Sequence, residues 1–196
     1  MATSSTPSAL AVAPATATAP PLALRPWLAR DIPTLVAAHT DPQMRRWLLH
    51  HIDDEDQART WLEQQERAWA EGTRHSLAIV ELTDVSDPTA KADELDPVGS
   101  VSIRRLSKRL EAAEVGYWVA SQARGRSIAP RAVEAAIGWA TEYWATDPVK
   151  RYELIHSVGN DASCRVALKL GFELEEELPA HPLKFPDPGH LHVRPA

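Results

Sequence analysis

A single α/β domain with a mixed central sheet flanked by helices is the fold this chain predicts, and three observations predict it. Residues 76–120 hold three apolar, extended runs in succession, separated by turn-forming residues, as an antiparallel meander requires. Residues 114–158 then run strand, glycine-bearing loop, helix, strand. That βαβ order demands parallel pairing and a crossover. The length of 196 residues is enough for one core and short for two.

The elements follow in order. Residues 1–21 are almost entirely Ala, Thr, Ser, Pro and Val, with no charged or aromatic side chain. A secretory signal wants a basic start and an unbroken apolar stretch, and Pro7, Pro14, Pro20 and Pro21 interrupt this one. The reading is a disordered tail over 1–21, followed by one domain over 22–196. Residues 22–26 read as a first strand. Asp31 offers a helix N-cap with Pro33 in the first turn, and Ile32, Leu35, Val36 and His39 recur at helical spacing. Asp41-Pro42 opens a second short helix through Leu49. Asp53 or Asp54 caps a third, in which Ala58, Trp61, Leu62, Gln65 and Trp69 share a face and Gly72 is the stop.

Residues 76–82 are the first strand of the meander. An acidic, proline-containing loop over 83–97 reads as a solvated linker. Residues 98–106 and 112–120 complete the meander across a turn at 107–111. The basic cluster Arg104, Arg105, Lys108 and Arg109 at that hairpin reads as a solvated turn. A helix over 130–146 carries a buried stripe of Val133, Ile137, Ala140 and Trp144. A strand over 151–158, a helix over 161–170 stopped by Gly171, and closing strands at 172–178 and 190–194 finish the chain.

Composition excludes several function classes. The net charge of −6 argues against coating nucleic acid and suits a cationic substrate. Cys164 is the only cysteine, so no internal disulfide can form. No apolar run reaches the roughly 20 residues that span a bilayer, so no membrane role is expected and a cytoplasmic protein is the default. Trp27, Trp47, Trp61 and Trp69 read as core or cleft wall rather than a stacking platform for bases. His190 and His192 fall on the same side of a strand with His181 nearby. A zinc site needs further ligands at set spacing, and no metal is expected. Cys164 reads as a small buried residue rather than an acyl-carrying nucleophile.

The most informative segment is Gln122-Ala123-Arg124-Gly125-Arg126-Ser127-Ile128-Ala129-Pro130. A small, basic loop feeding a helix start leaves backbone N–H groups unpaired at the positive end of the helix dipole, which makes it a cradle for phosphate or pyrophosphate.

Around that loop the residues resemble the GNAT superfamily of acyl-CoA-dependent N-acetyltransferases, and within it the RimJ/RimL-like branch. The resemblance rests on Leu24-Arg25-Pro26-Trp27 with Arg30-Asp31, on Glu114-Val115-Gly116-Tyr117-Trp118, and on Asn160, Ser163, Arg165, Val166, Lys169, Gly171 and Phe172. It implies a GNAT-like sheet splayed at its parallel strand pair, with acetyl-CoA as cosubstrate. Arg124, Gly125, Arg126, Ser127, Ile128 and Ala129 would hold the pyrophosphate. Tyr117, Trp118 and Val119 would meet the pantetheine arm, with Asn160 from the last helix. The family pattern sets glycine where Ser127 stands; the serine hydroxyl can itself donate to phosphate. Ser163 would sit beside the leaving thiolate, because the tyrosine many relatives carry four residues later is Ala167 here.

Glu114 has two readings, a base acting through water or a solvent-facing strand end. His156 is either a base or a core histidine. Asn160 can cap the last helix and meet a ligand at once, because the two contacts use different atoms. The implied acceptor is a primary amine, on a protein N-terminus or on a small molecule such as an antibiotic. An α-amine of pKa about 8 is roughly a tenth neutral at pH 7, whereas a lysine is neutral well under one part in a thousand. The alternative is a non-catalytic acyl-CoA-binding sensor or partner module. The oligomeric state is open, a homodimer included.

Overall fold

The structure, a computed structural model, describes residues 9–82, 92–106, 109–181 and 185–196. Among them run eight strands: β1 (Ala11–Ala13), β2 (Leu22–Pro26), β3 (Arg74–Glu81), β4 (Gly99–Leu106), β5 (Arg109–Val119), β6 (Arg151–Ser157), β7 (Glu173–Leu178) and β8 (Gly189–Pro195). Five helices join them: α1 (Ile32–His39), α2 (Pro42–Trp47), α3 (Glu55–Ala70), α4 (Ile128–Tyr143) and α5 (Asp161–Lys169). The strands form one sheet in the order β1-β2-β3-β4-β5-β6-β8-β7. All neighbours are antiparallel except β5 and β6.

That parallel pair is the feature that positions the site. It is in register only over 112–114, opposite 151–153. Beyond it β5 stays paired with β4 through Val119, and β6 with β8 through Ser157. The two strands therefore part after Glu114, and among the described residues no strand pairs with the β5 edge over 115–119 on that side. The splay expected from the resemblance is present.

Alternation along the strands divides the core between two faces. Leu77, Ile79, Val101, Ile103 and Val115 pack on one face against the α4 stripe of Ala132, Val133, Ala136, Ile137 and Ala140. On the other face Ala78 lies under α1 and α3, with Trp27, Ile32, Leu35, Ala58 and Leu62. The turn after β2 is tied by a buried ion pair. Arg25 donates from NH1 and NH2 to the two carboxylate oxygens of Asp31 at 2.7 and 2.9 Å. It also donates to the carbonyls of Ala92 and Leu95, each at 2.8 Å. A charge fully withdrawn from water survives only with its hydrogen bonds complete, and this guanidinium has them.

Several expectations are corrected. The chain over 9–21 is not a featureless tail: β1 pairs with β2, Ala13 is buried, and the Arg131 side chain donates to the carbonyls of Pro14 and Pro20 at 2.7 and 2.6 Å. A strand this short lacks the alternation that sequence periodicity detects. Asp31 does not cap α1 through its side chain, because that carboxylate is occupied by Arg25 and the Leu28 N–H. Of the two caps expected for α3, Asp54 is the one used, accepting from the Gln57 N–H at 2.8 Å, so that expectation holds. Helix α4 starts two residues earlier than expected, and Pro130 fits as its third residue because no helical acceptor exists there for the N–H it lacks. Most of the acidic loop, 83–91, and part of the hairpin turn, 107–108, lie outside the described residues. Of the basic cluster at that turn, Arg104 pairs with Glu114 and Arg105 with Asp147, so these two are held rather than simply solvated.

Candidate functional site

The parting of β5 and β6 opens a cleft of about 410 Å³. Its sides are the end of β5 (Tyr117, Trp118, Val119), the start of α5 (Asn160, Ser163) and the helix α2 (Gln43, Met44, Trp47). Its floor is the loop into α4, with Arg124, Gly125, Ser127, Ile128 and Ala129. One cavity thus gathers most of the positions singled out in the sequence.

The loop has the backbone an anion cradle needs. Gly125 and Ser127 both take left-handed conformations, at φ 76° and 56°. Ser127 is the only non-glycine residue with positive φ among the described residues, which explains why glycine is the usual occupant there. Among the described residues no backbone carbonyl accepts from the N–H groups of residues 125–129. They gather at the N-terminus of a 16-residue helix, where the dipole adds partial positive charge.

The two loop arginines are otherwise engaged. Arg124 donates from Nε to the Val119 carbonyl at 3.1 Å, from NH1 to Gln43 Oε1 at 2.7 Å, and from NH2 to Asp41. Desolvation works against the Asp41 carboxylate, but the Gln43 N–H and Arg124 outweigh it and hold its pKa below the ordinary value. Asp41 caps α2, so Arg124 bolts α2 to the loop and to the end of β5. Arg126 turns away to Glu81, at 2.5 Å, and its side chain does not line the cleft. Free cationic side chains come instead from α5. Arg165 and Lys169 line the cleft, are exposed, and make no ion pair among the described residues.

Tyr117 carries an unspent polar group. Burial pushes its hydroxyl above the ordinary pKa, and the neighbouring Ser163 side chain pulls the other way. The two hydroxyls do not close a well-formed hydrogen bond, and Tyr117 Oη is buried without a partner. Asn160 Oδ1 accepts from the Ser163 N–H at 3.2 Å as the N-cap of α5, which leaves its amide NH₂ for a ligand. A buried orphan hydroxyl and a loop with unpaired N–H groups, lining one cleft at Gly125, Ser127, Ile128 and Ala129, fit a ligand with a phosphate end and a polar arm.

Glu114 stands at the point of parting, but its carboxylate accepts from Arg104 at 2.7 Å and does not line the cleft. The Trp118 ring lies on the opposite sheet face, 5.9 Å from the ring centres of Trp27 and His39. His156 is not at the cleft either. It lies under α5 beside His190 and His192. Trp47 was read as core or cleft wall, and it lines the cleft, but the sequence did not show that Gln43 and Met44 of α2 join it there. The Met and Trp of this helix were visible as apolar residues, but only the Arg124 contact across the fold aims them at the loop.

Comparison with known proteins accords with this geometry. The family model of the acetyltransferase (GNAT) domain matches residues 22–173. The solved structure of Mycobacterium smegmatis RimJ in complex with CoA-disulfide superposes with a TM-score of 0.76 at 20% identity, over 95% of this chain and 87% of that one. An acetyl transferase from Salmonella typhimurium that modifies the N-terminal serine of the 50S ribosomal subunit protein L7/L12 gives a TM-score of 0.69 at 18% identity, over 94% and 99%. These likenesses define the class as the acyltransferase fold with a splayed sheet. The chain itself belongs to the GNAT acetyltransferase family. The ribosomal-protein-serine acetyltransferase of Escherichia coli (strain K12) is 34% identical over 85 residues, which is 43% of this chain and 45% of that protein, so the match spans under half of either. No helix among the described residues is long and apolar enough to cross a membrane.

Proposed function

We propose that the chain transfers an acetyl group from acetyl-CoA to the α-amine of a protein or peptide N-terminus. The observation that carries this reading is the coincidence, at one cleft, of a loop with unpaired N–H groups that lines it at Gly125, Ser127, Ile128 and Ala129, the open β5 edge and the orphan Tyr117 hydroxyl. Membership of the GNAT family supports the donor. The likeness to the Escherichia coli ribosomal-protein-serine acetyltransferase supports an acceptor on a ribosomal protein.

The thioester supplies an activated carbonyl, whose C–S bond gives way as the amine nitrogen forms the new C–N bond. Everything else falls to the chain. The N–H groups of 125–129 hold the pyrophosphate, and Arg165 and Lys169 neutralise remaining phosphate charge. The β5 edge over 115–119 and the Asn160 amide pair with the polar groups of the arm. Ser163 and Tyr117 hold protons at Oγ and Oη beside the departing sulfur. With its pKa raised, Tyr117 stays protonated at neutral pH and suits that duty.

Among the described residues, those lining the cleft include no carboxylate and no histidine. An acceptor must therefore arrive already neutral in useful amount, or lose its proton through water to Glu114 at the strand junction. At pH 7 that favours an α-amine over a lysine by more than about a hundredfold in neutral fraction. It also makes the rate climb with pH as the acceptor's own amine titrates near about 8.

The test is calorimetry with acetyl-CoA, followed by a free-thiol release screen over N-terminal peptides, lysine peptides and small amines. The proposal expects one acetyl-CoA bound per chain, and thiol release with free N-termini. Release only with a small amine such as an aminoglycoside would overturn the acceptor class. The engagement of Glu114 by Arg104 favours a second reading, a non-catalytic acyl-CoA-binding module. It predicts acetyl-CoA binding with no thiol release on any amine.

A further inference from the structure

On the sheet face under α5, with none of the grouped residues in the cleft lining, β6 and β8 bring three imidazoles together. Their register sets His156 opposite His190, with His192 two residues on, so all three rings share one face. Cys164 of α5 descends on them, its Sγ 3.8 Å from His192 Nε2. One ligand-type atom from each of the four residues lies within 4.8 Å of every other. In tetrahedral zinc, Zn–N near 2.1 Å and Zn–S near 2.3 Å give ligand separations of about 3.4–3.6 Å. Each group needs to close in by about 1 Å or less, which side-chain rotation supplies.

The polar atoms are arranged as metal ligands require. His156 Nε2 and His190 Nδ1 are buried with no hydrogen-bond partner. The opposite nitrogen of each ring has an outer neighbour: His156 Nδ1 lies 3.0 Å from the Ser157 carbonyl, and His190 Nε2 lies 3.8 Å from a Glu177 carboxylate oxygen. Outer carbonyls and carboxylates of this kind fix the tautomer and aim the free lone pair at a metal. The Phe172 backbone approaches the His192 ring in the same way, although Nδ1 of that ring makes no well-formed hydrogen bond. Burial, and then the neighbouring histidines, lower the pKa of His192. Burial likewise lowers that of His156, with the Ser157 carbonyl opposing. Three abutting rings with unspent buried nitrogens are costly unless something binds them.

We propose that His156, Cys164, His190 and His192 bind one zinc ion in a closed tetrahedral site that pins α5 to the sheet. Four protein ligands leave no open position, so the role is structural rather than catalytic. Helix α5 needs such a tie, because Ala167 is its only buried residue. The tie matters to the cleft, because Ser163 is the residue next to Cys164 and lines the cleft. Three histidines and a thiolate suit a borderline-soft divalent ion, Zn²⁺ before Mg²⁺ or Ca²⁺.

The test is a titration of the chelator-treated full chain with Co²⁺, followed by displacement with Zn²⁺. The expected result is one Co²⁺ per chain, with the intense visible bands of a tetrahedral ion and a thiolate-to-cobalt charge-transfer absorption. Zn²⁺ should abolish both and raise the melting temperature. Cys164 is the only cysteine, so the charge-transfer band in the wild-type chain alone identifies the site, whether or not a variant folds. Cys164→Ser should remove that band, and His192→Ala should weaken binding by about 10–100-fold or more. No Co²⁺ uptake at micromolar concentration, or uptake without a charge-transfer band, overturns the proposal. The readout is spectroscopic, so its outcome is independent of acetyl transfer.

Discussion

Ser127 carries strain in the middle of the candidate anion site. Its φ of 56° lies in the left-handed region, which costs a non-glycine residue roughly 1–2 kcal/mol, part of which glycine returns as unfolded-state entropy. Ser127→Gly is accordingly expected to stabilise the unliganded chain by up to about 1 kcal/mol, read as a shift in the urea midpoint at unchanged slope. A loss of stability would mean that the serine side chain makes up for its backbone. The position was legible in the sequence as a departure from the GNAT loop pattern. The conformation that makes it a departure was not, because φ depends on how the loop enters α4. The opening motif was similarly half legible. Arg25 and Asp31 stood out as a pattern, but their mutual burial depends on carbonyls of Ala92 and Leu95 that only the folded chain brings near.

The short helix α2 shows why elements were easier to read than their roles. Asp41-Pro42 announced it, and Asp41 does cap it, accepting from the Gln43 N–H at 2.9 Å. Six residues make a weak helix on their own. Its attachment comes from Arg124, which reaches Asp41, Gln43 and the Val119 carbonyl together. The side chain expected to grip phosphate is thus a bolt between the cleft wall and the cleft floor. Arg124→Ala should free α2, speeding amide exchange of residues 44–48 about tenfold and weakening acetyl-CoA binding by a similar factor. Exchange unchanged with binding weakened would instead return Arg124 to direct phosphate contact. The helices α3, α4 and α5 were each placed to within about three residues, because their apolar stripes repeat over several turns. Strand β1 escaped because three residues carry no period; the pairing of His190 with His192 was legible, but that His156 and Cys164 join them was not, because the four residues come from three separate elements.

Across the whole molecule, buried histidines tie stability to pH. His75 lies in the core, with the rings of Trp69, Trp139 and Tyr143 around it at 4.6, 5.2 and 4.9 Å, and neither ring nitrogen has a partner. Burial lowers its pKa from 6.5 to about 4. As pH falls below about 6.5 the unfolded chain takes up a proton that the folded chain refuses. The stability is therefore intact above that pH and is lost progressively toward about 4. His75→Phe should flatten the stability profile between pH 6.5 and 4 by about 2–3 kcal/mol in all; an unchanged slope would show that this ring does not resist protonation. The gross architecture was the most legible level of all. The βαβ unit and the loop before α4 fixed the sheet order around the cleft, and the GNAT resemblance supplied the splay. The acceptor stayed illegible because no motif in the sequence marks the surface that would receive it. The most direct measurement of the central claim is mass spectrometry on a serine-initiated peptide that also contains a lysine, incubated with the chain and acetyl-CoA. One acetyl group on the α-amine, with the lysine untouched, is the predicted result; acetylation of the lysine, or of neither amine, would contradict it.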